Sequence, residues 1–421
     1  MKFKLLILIF VFVRLVIALF GTWHPDVNNH VDWGIRFFEY GPKYIYAPDS
    51  NVWSYTWPNQ PPGTMIIFAA IRKIYEASFS VMWSINTHID VFPSTVMTFW
   101  ENKGYIALLK TPFVFADVGL SYLIYKIVKK SNVKYAKTAA IAFLANPVAI
   151  YNSSFWGQTD SLINLLALLA FYLLFRKKIT LSIMLMALSL YIKISMIIFV
   201  PFYAIILIKK YKISEIVLSL CLSFGLILLL TSFFSTGSPF VWLYRLYTDN
   251  ILGQQLQVIT ANAANFWAII TGLHEQPHSL ALLGLTYQYW AMIITAILLL
   301  PVTVRLVQQK ADEISVYWAL AAVAFVAWMF LTNMHERYLY PFFPLATILL
   351  FTGKFRYSVK EYTLISVISL LNMYNLWWKP DFPLLVASLS GADFLAVRML
   401  AIVMLILFIQ FYRRYVHHEA Q

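Results

Sequence analysis

The chain has 421 residues, 61% of them hydrophobic and 12% charged, with a mean hydropathy of +0.70 and a formal net charge of +13. That composition excludes a soluble globular domain and a disordered chain, and the single Cys221 excludes an internal disulfide framework and a multi-cysteine metal site. The excess positive charge sits in short loops between apolar runs, which points to membrane topology and anionic lipid, with no nucleic-acid partner.

A helix crosses a bilayer with about 20 mainly apolar residues. The sequence predicts an all-α polytopic membrane protein, a single domain over 1–421, with about 12 transmembrane helices. The runs fall near 4–22, 105–126, 138–152, 161–175, 179–193, 194–208, 214–234, 281–303, 314–332, 340–353, 361–377 and 392–412. Arg14 interrupts the first run and no small-residue cleavage site follows it, so it reads as a retained span and not a signal peptide. Basic clusters at Lys2/Lys4, Lys126 to Lys137, Arg176-Lys177-Lys178, Lys209-Lys210-Lys212, Arg305/Lys310, Lys354/Arg356/Lys360 and Arg413-Arg414 each follow an even number of runs. The positive-inside rule then places these loops and both termini of an integral membrane protein in the cytoplasm and the odd loops outside. Counting the short apolar stretch 62–73 as a span would invert every later loop. It is therefore expected to be an interfacial or re-entrant helix inside a long first outer loop, 23–104, which also carries Trp23, Trp33, Trp53, Trp57, Trp83 and Trp100.

The unusual polar residues gather on the outer side. In chain order, Asp26 and Asp32 follow the first run, where a carboxylate meets a lipid-borne substrate at the interface. Such a carboxylate can take a proton from an attacking hydroxyl, two of them can hold a divalent cation, or either can cap a helix. Lys110 and Asp117 lie at the outer end and the interior of the second run, as polar packing groups with Arg14 among their possible partners. Asn146-Pro147 and Trp156-Gly157-Gln158-Thr159-Asp160 form an outer turn. Lys193 stands between two apolar runs, as a phosphate ligand or as a snorkelling lysine. In a second large outer segment, 235–280, Asn262 and Asn265 are expected to share a helical face near Trp267, an arrangement that suits a sugar or an asparagine-capped interfacial helix. Finally, Met334-His335-Glu336-Arg337-Tyr338 puts three ionisable residues into an apolar stretch. His335 and Arg337 suit a phosphate, with Glu336 orienting one of them, and a structural salt bridge is the bland alternative.

The order of these elements resembles the GT-C superfamily of polyprenyl-phosphate-sugar glycosyltransferases. It runs from the first-loop Asp26 through Pro61-Pro62, Lys110-Thr111-Pro112, Asn146-Pro147, Trp156 to Asp160, Lys193 and Asn262 to Trp267, ending at His335-Glu336-Arg337-Tyr338. The spacing from Asp26 to Trp33 is similar to that in dolichyl-phosphate-glucose glucosyltransferases, whose H-E-K motif matches His335-Glu336-Arg337 with one change. The forms at Trp156, Asn262 and Arg337 look more like prokaryotic mannosyltransferase-like members, which implies a prokaryotic plasma membrane. The resemblance implies an inverting transfer of one hexose, mannose or glucose, from a polyprenyl-phosphate donor to a glycan, lipid or protein acceptor on the outer face, with membrane lipids as further partners. It implies Asp26 as base, with Asp32 as its alternate, and Lys193, His335 and Arg337 on the donor phosphate. Trp33, Trp156, Gln158, Asp160, Asn262, Asn265, Trp267 and Glu336 would support these groups or meet the sugar. No cofactor is expected, with a divalent metal at Asp26/Asp32 left open. Two other classes stay open: a multi-span transporter or lipid flippase, and a ligase using a polyprenyl-diphosphate-linked polymer.

Overall fold

The computed structural model describes residues 3–21, 24–47, 57–252, 256–308, 312–353 and 358–417. Trp23, Trp53, Lys2, Lys310, Lys354 and Arg356 lie outside the described residues. The chain is almost entirely helical. Helix α1 (Phe3–Phe20) leads through α2 (Val27–Tyr40) into a long antiparallel hairpin of α3 (Pro62–His88) and α4 (Ser94–Ser131). After α5 (Ala136–Leu144), the chain passes through α6 (Pro147–Ile150) and a wide π-helical turn (Tyr151–Trp156) into α7 (Asp160–Leu174) and α8 (Ile179–Ile192). A 3₁₀ segment (Ile194–Phe199) starts the return along α9 (Val200–Lys210), followed by α10 (Ile213–Thr231). The second outer segment holds α11 (Pro239–Arg245), a π turn (Leu246–Leu252), α12 (Phe266–Thr271) and a two-stranded hairpin of Ala281–Leu282 with Leu285–Thr286. The last five helices are α13 (Tyr287–Gln308), α14 (Glu313–Phe330), α15 (Phe342–Thr352), α16 (Val359–Tyr374) and α17 (Pro383–His417), the last broken at Gly391–Phe394.

Among the described residues, α1, α4, α10, α13, α14 and α17 are long and apolar enough to cross a membrane. The protein is thus an integral, polytopic α-helical membrane protein. The remaining runs form shorter helices. At 1.5 Å per residue, the 15 residues of α7 and the 14 of α8 span only about 21–23 Å. The 138–152 run is split at Asn146, because Pro147 cannot continue α5 and instead opens α6, with the Asn146 carboxamide accepting from Val148 N at 2.9 Å. Two boundaries differ from expectation. The 62–73 stretch belongs to a helix that continues to His88, and α4 begins at Ser94, inside the stretch 23–104. The two helices pack on each other through Tyr75 and Tyr105, with ring centroids 5.1 Å apart, and Trp100 Nε1 donates to Ser78 Oγ at 3.1 Å. Likewise 281–286 forms the β-hairpin, and α13 starts only at Tyr287.

The basic loops do gather at one end. Lys130 and Arg176 both pair with Glu313, Lys209 reaches the carbonyls of Leu306 and Val307, and Arg414 pairs with Glu361. Lys137 lies over the Phe3 ring, which brings the start of α1 to the same end. Between the ends, α14 forms the centre of the bundle, with every residue from Ile314 to Phe330 except Ser315 buried. A polar knot ties the first half together. Arg14 donates to Asp117 at 2.5 Å, to Ser153 at 3.0 Å and to the Leu144 carbonyl at 2.8 Å, while Tyr340 donates to the other Asp117 oxygen and meets Ser161 at 3.0 Å.

Candidate functional site

Opposite the basic end lies a cavity of about 540 Å³, bounded by α2, the 59–61 stretch, the α8–α9 turn, the 261–262 loop, the 335–338 turn and Leu376-Trp377. Its walls carry Asp26, Lys193, Asn262, His335, Glu336 and Arg337, which are far apart in sequence and were each singled out by it.

Asp26 occupies the N-cap position of α2. Gln158 Nε2 donates to its Oδ2 at 2.5 Å, Trp156 Nε1 to the same oxygen at 3.2 Å, and Asn29 Nδ2 to Oδ1 at 3.2 Å. The backbone between those two donors explains how they reach it. The π turn ends at Gly157, whose φ of +79° is open to glycine, and the Asn152 carbonyl accepts from both Gly157 N and Gln158 N at 3.0 Å. A Cβ at Gly157 would sit 2.9 Å from Lys110 Cγ, so the turn has no room for a side chain.

The cations form a second layer. Lys193 Nζ pairs with Asp160 Oδ1 at 2.8 Å, Arg337 Nε lies 3.9 Å from Asp160 Oδ2, and Arg337 NH1 lies 3.3 Å from Glu336 Oε1. The Arg337 guanidinium is over the Trp156 ring at 5.0 Å, and Glu336 takes a further hydrogen bond from Trp377 Nε1 at 3.2 Å. His335 Nδ1 is 3.8 Å from Glu336 Oε2. Asp160 and Glu336 therefore brace the cations.

Burial by itself pushes the Asp26 carboxyl up, but Arg337, then His30 and His24, outweigh it and hold it down at about 2. Burial lowers the His24 and His30 imidazoles to about 3 and about 4, against the opposing pull of Asp26. Near neutral pH the cavity thus holds an ionised Asp26 beside two neutral histidines. The sign of the stability effect follows from proton counting. Unfolded, these histidines bind protons below their ordinary 6.5, whereas folded they refuse them until about 4 and 3. Their neutral state costs nothing above 6.5, and stability is lost as the pH falls from there through 4; Asp26, ordinarily 3.8, adds a loss below that value. Thermal unfolding in detergent should show a midpoint that falls between pH 6.5 and 4 and a shallower fall in His30→Phe. A midpoint flat across that range in the parent protein would contradict the neutral assignment.

Several expected residues lie elsewhere. Asp32 is not on the cavity wall. Six residues along α2 turn it about 240° from Asp26, and it pairs instead with Arg36 at 3.3 Å. The two aspartates share no ligand position, and among the described residues no group of three His, Cys, Asp or Glu side chains is placed to hold a metal. Asn262 and Asn265 do not share a helical face. Asn262 has a left-handed φ of +63° and exchanges hydrogen bonds with Asn375, donating to its carbonyl at 3.0 Å and accepting from its carboxamide at 2.9 Å. Asn265 caps α12 through Trp267 N and Ala268 N at 3.1 and 3.3 Å, and Trp267 is buried with its indole on the Phe330 carbonyl at 2.7 Å. Of residues 260–267 only Ala261 and Asn262 line the cavity. Trp156 is wholly buried and acts on Asp26 from behind, while Trp33 is on the wall. His24, His30 and Trp377 have no role assigned to them from the sequence. His24 stacks on Trp156 at 4.3 Å and meets Trp377 at 4.6 Å, contacts between segments remote in sequence.

Fold and site together define a polytopic membrane protein with a recessed, charge-lined cavity at the end opposite its basic loops. No curated protein matches the chain. It belongs to the family described as PIG-U, GPI transamidase subunit PIG-U, whose profile covers residues 8–413.

Proposed function

We propose that the cavity transfers one hexose from a polyprenyl-phosphate-sugar donor to an acceptor hydroxyl at the extracytoplasmic face of a plasma membrane. The observation that supports this reading is a half-buried carboxylate, Asp26, fixed by Gln158 and Trp156 in the same cavity as Lys193, His335 and Arg337. In an inverting displacement the acceptor oxygen attacks C1, its proton passes to Asp26, and the C1–O bond breaks with its electron pair leaving on the phosphate. A carboxylate at one end and cations at the other stabilise the opposite charges that develop. The low proton affinity of Asp26 has a use here. A donor phosphate that pairs with Arg337 takes away its principal counter-charge, and burial then raises its affinity for the acceptor's proton.

A second reading rests on the family description, which names a subunit of a GPI transamidase. That wording stands nearer to the coupling of a lipid-linked glycan, the ligase alternative, than to addition of a single sugar. Under it, the same cavity seats the phosphate-bearing head of a glycolipid for chemistry done on a partner subunit, and Asp26 shapes the pocket without transferring a proton. The experiment is incubation of the purified protein in liposomes with radiolabelled polyprenyl-phosphate mannose and glucose and a hydroxyl-bearing glycan acceptor. Covalent transfer is the expected result. Retention of the lipid with no transfer from either sugar favours the subunit reading, and uptake into the lumen without transfer favours a carrier.

A further inference from the structure

Asp26, Asn29, His30 and Trp33 stand at positions i, i+3, i+4 and i+7 of one helix segment, and all four line the cavity. That spacing makes a single stripe along α2. His30 is 2% exposed, stacks on Phe68 with ring centroids 4.5 Å apart, and its Nδ1 has no hydrogen-bond partner among the described residues. A buried ring nitrogen left without a partner is costly unless a ligand supplies one.

In-line displacement sets the rest. The attacking oxygen and the departing phosphate lie on opposite sides of C1, so the acceptor must come from the side of the base. The cations Lys193 and Arg337 arise from other elements, the α8–α9 turn and the 335–338 turn, and are braced there by Asp160 and Glu336. The α2 stripe is therefore the part of the wall that can face the acceptor.

Resting on the sugar-transfer reading above, we propose that the α2 stripe is the acceptor subsite and that His30 binds a second hydroxyl of the acceptor beside the one that Asp26 deprotonates. The acceptor class is thus a polyol with neighbouring hydroxyls, such as the non-reducing end of a glycan, and not an amine or a lone alcohol. The neutral imidazole suits this task, since it exchanges a hydrogen bond with a hydroxyl without drawing a proton from it. In the transfer step one hydroxyl loses its proton to Asp26 and forms the new O–C1 bond, while the neighbouring hydroxyl stays intact on His30.

The test compares His30→Phe and His30→Asn with the parent protein in liposomes, using polyprenyl-phosphate mannose as donor and methyl α-mannoside or cyclohexanol as acceptor. Phenylalanine keeps the stack on Phe68 and removes the hydrogen bond. Asparagine restores a polar group at a similar reach. His30→Phe should raise KM for the mannoside about fivefold with donor KM and kcat within about twofold, since a hydrogen bond is worth about 1 kcal/mol and 1.4 kcal/mol is tenfold. His30→Asn should recover most of the loss, and cyclohexanol should be a poor acceptor for all three proteins. A mannoside KM unmoved in His30→Phe, a rise confined to the donor KM, or equal use of cyclohexanol would overturn the acceptor assignment while leaving sugar transfer standing. If the parent, given polyprenyl-phosphate mannose and in parallel polyprenyl-phosphate glucose, transfers to neither acceptor and releases neither sugar to water, the sugar-transfer reading falls and this one with it.

Discussion

Asp26→Asn should reduce transfer by about 10²–10⁴, the range over which a positioned general base acts. The substitution keeps the shape and leaves Gln158 and Trp156 the oxygen they share, exchanging for NH2 only the oxygen that accepts from Asn29, so the cavity should hold its geometry. Arg337 loses one counter-charge but keeps Glu336 and Asp160, so donor affinity should hold or improve as the cation turns to the phosphate. The measurement is single-turnover transfer beside a donor-binding isotherm. Full turnover with asparagine would remove Asp26 as base. Asp32→Asn is the internal control, because Asp32 is held by Arg36 off the cavity wall, and its turnover should stay within a few-fold of the parent.

The second large effect is on stability. Arg14 and Asp117 are both fully buried, and their hydrogen bonds join α1, α4, the end of α5, the π turn and the Tyr340 region. Removing one partner leaves an uncompensated charge in an apolar interior, at a cost of about 3–5 kcal/mol. Arg14→Met and Asp117→Leu should each lower the thermal midpoint sharply, and the double substitution should recover much of the loss, because a buried ion pair replaced by apolar side chains is often close to neutral. Two single variants as stable as the parent would show that the pair contributes little. Loss of transfer in a double variant of recovered stability would show that the knot also aligns Gln158, five residues beyond Ser153.

The sequence carried the large-scale plan because apolar length and charge sidedness are local signals. The ends marked by Lys130, Arg176, Lys209 and Arg414 do meet at one pole, and Asp26, Lys193, His335 and Arg337 meet at the other. Two kinds of information were not local. Helix length within an apolar run depends on breaks such as Asn146-Pro147 and on where a neighbour stops, so 138–152 reads as one span and folds as several pieces. The asparagines mislead in the same way. Asn265 sits three residues from Asn262 as a helix face requires, yet the backbone there is not helical and Asn262 is left-handed, where Asn372 and Asn375, more than a hundred residues on, hold Asn262 and Ala264. His30 escaped notice because a histidine four residues after an aspartate has no meaning until α2 is seen to present both to one cavity.

The shortness of α7 and α8 has a consequence for the lipid. Asp160 opens α7 and Lys193 follows α8, so both charges sit only about 21–23 Å along the helix axes from the basic end, against a hydrocarbon layer of about 30 Å. The difference must be met by a locally thinned leaflet or by water drawn inward over the cavity. Under either reading proposed above, a lipid-anchored head group would reach the cations by sliding sideways through a dimple in the bilayer, with its chains still in oil, and would not have to be lifted out into solvent.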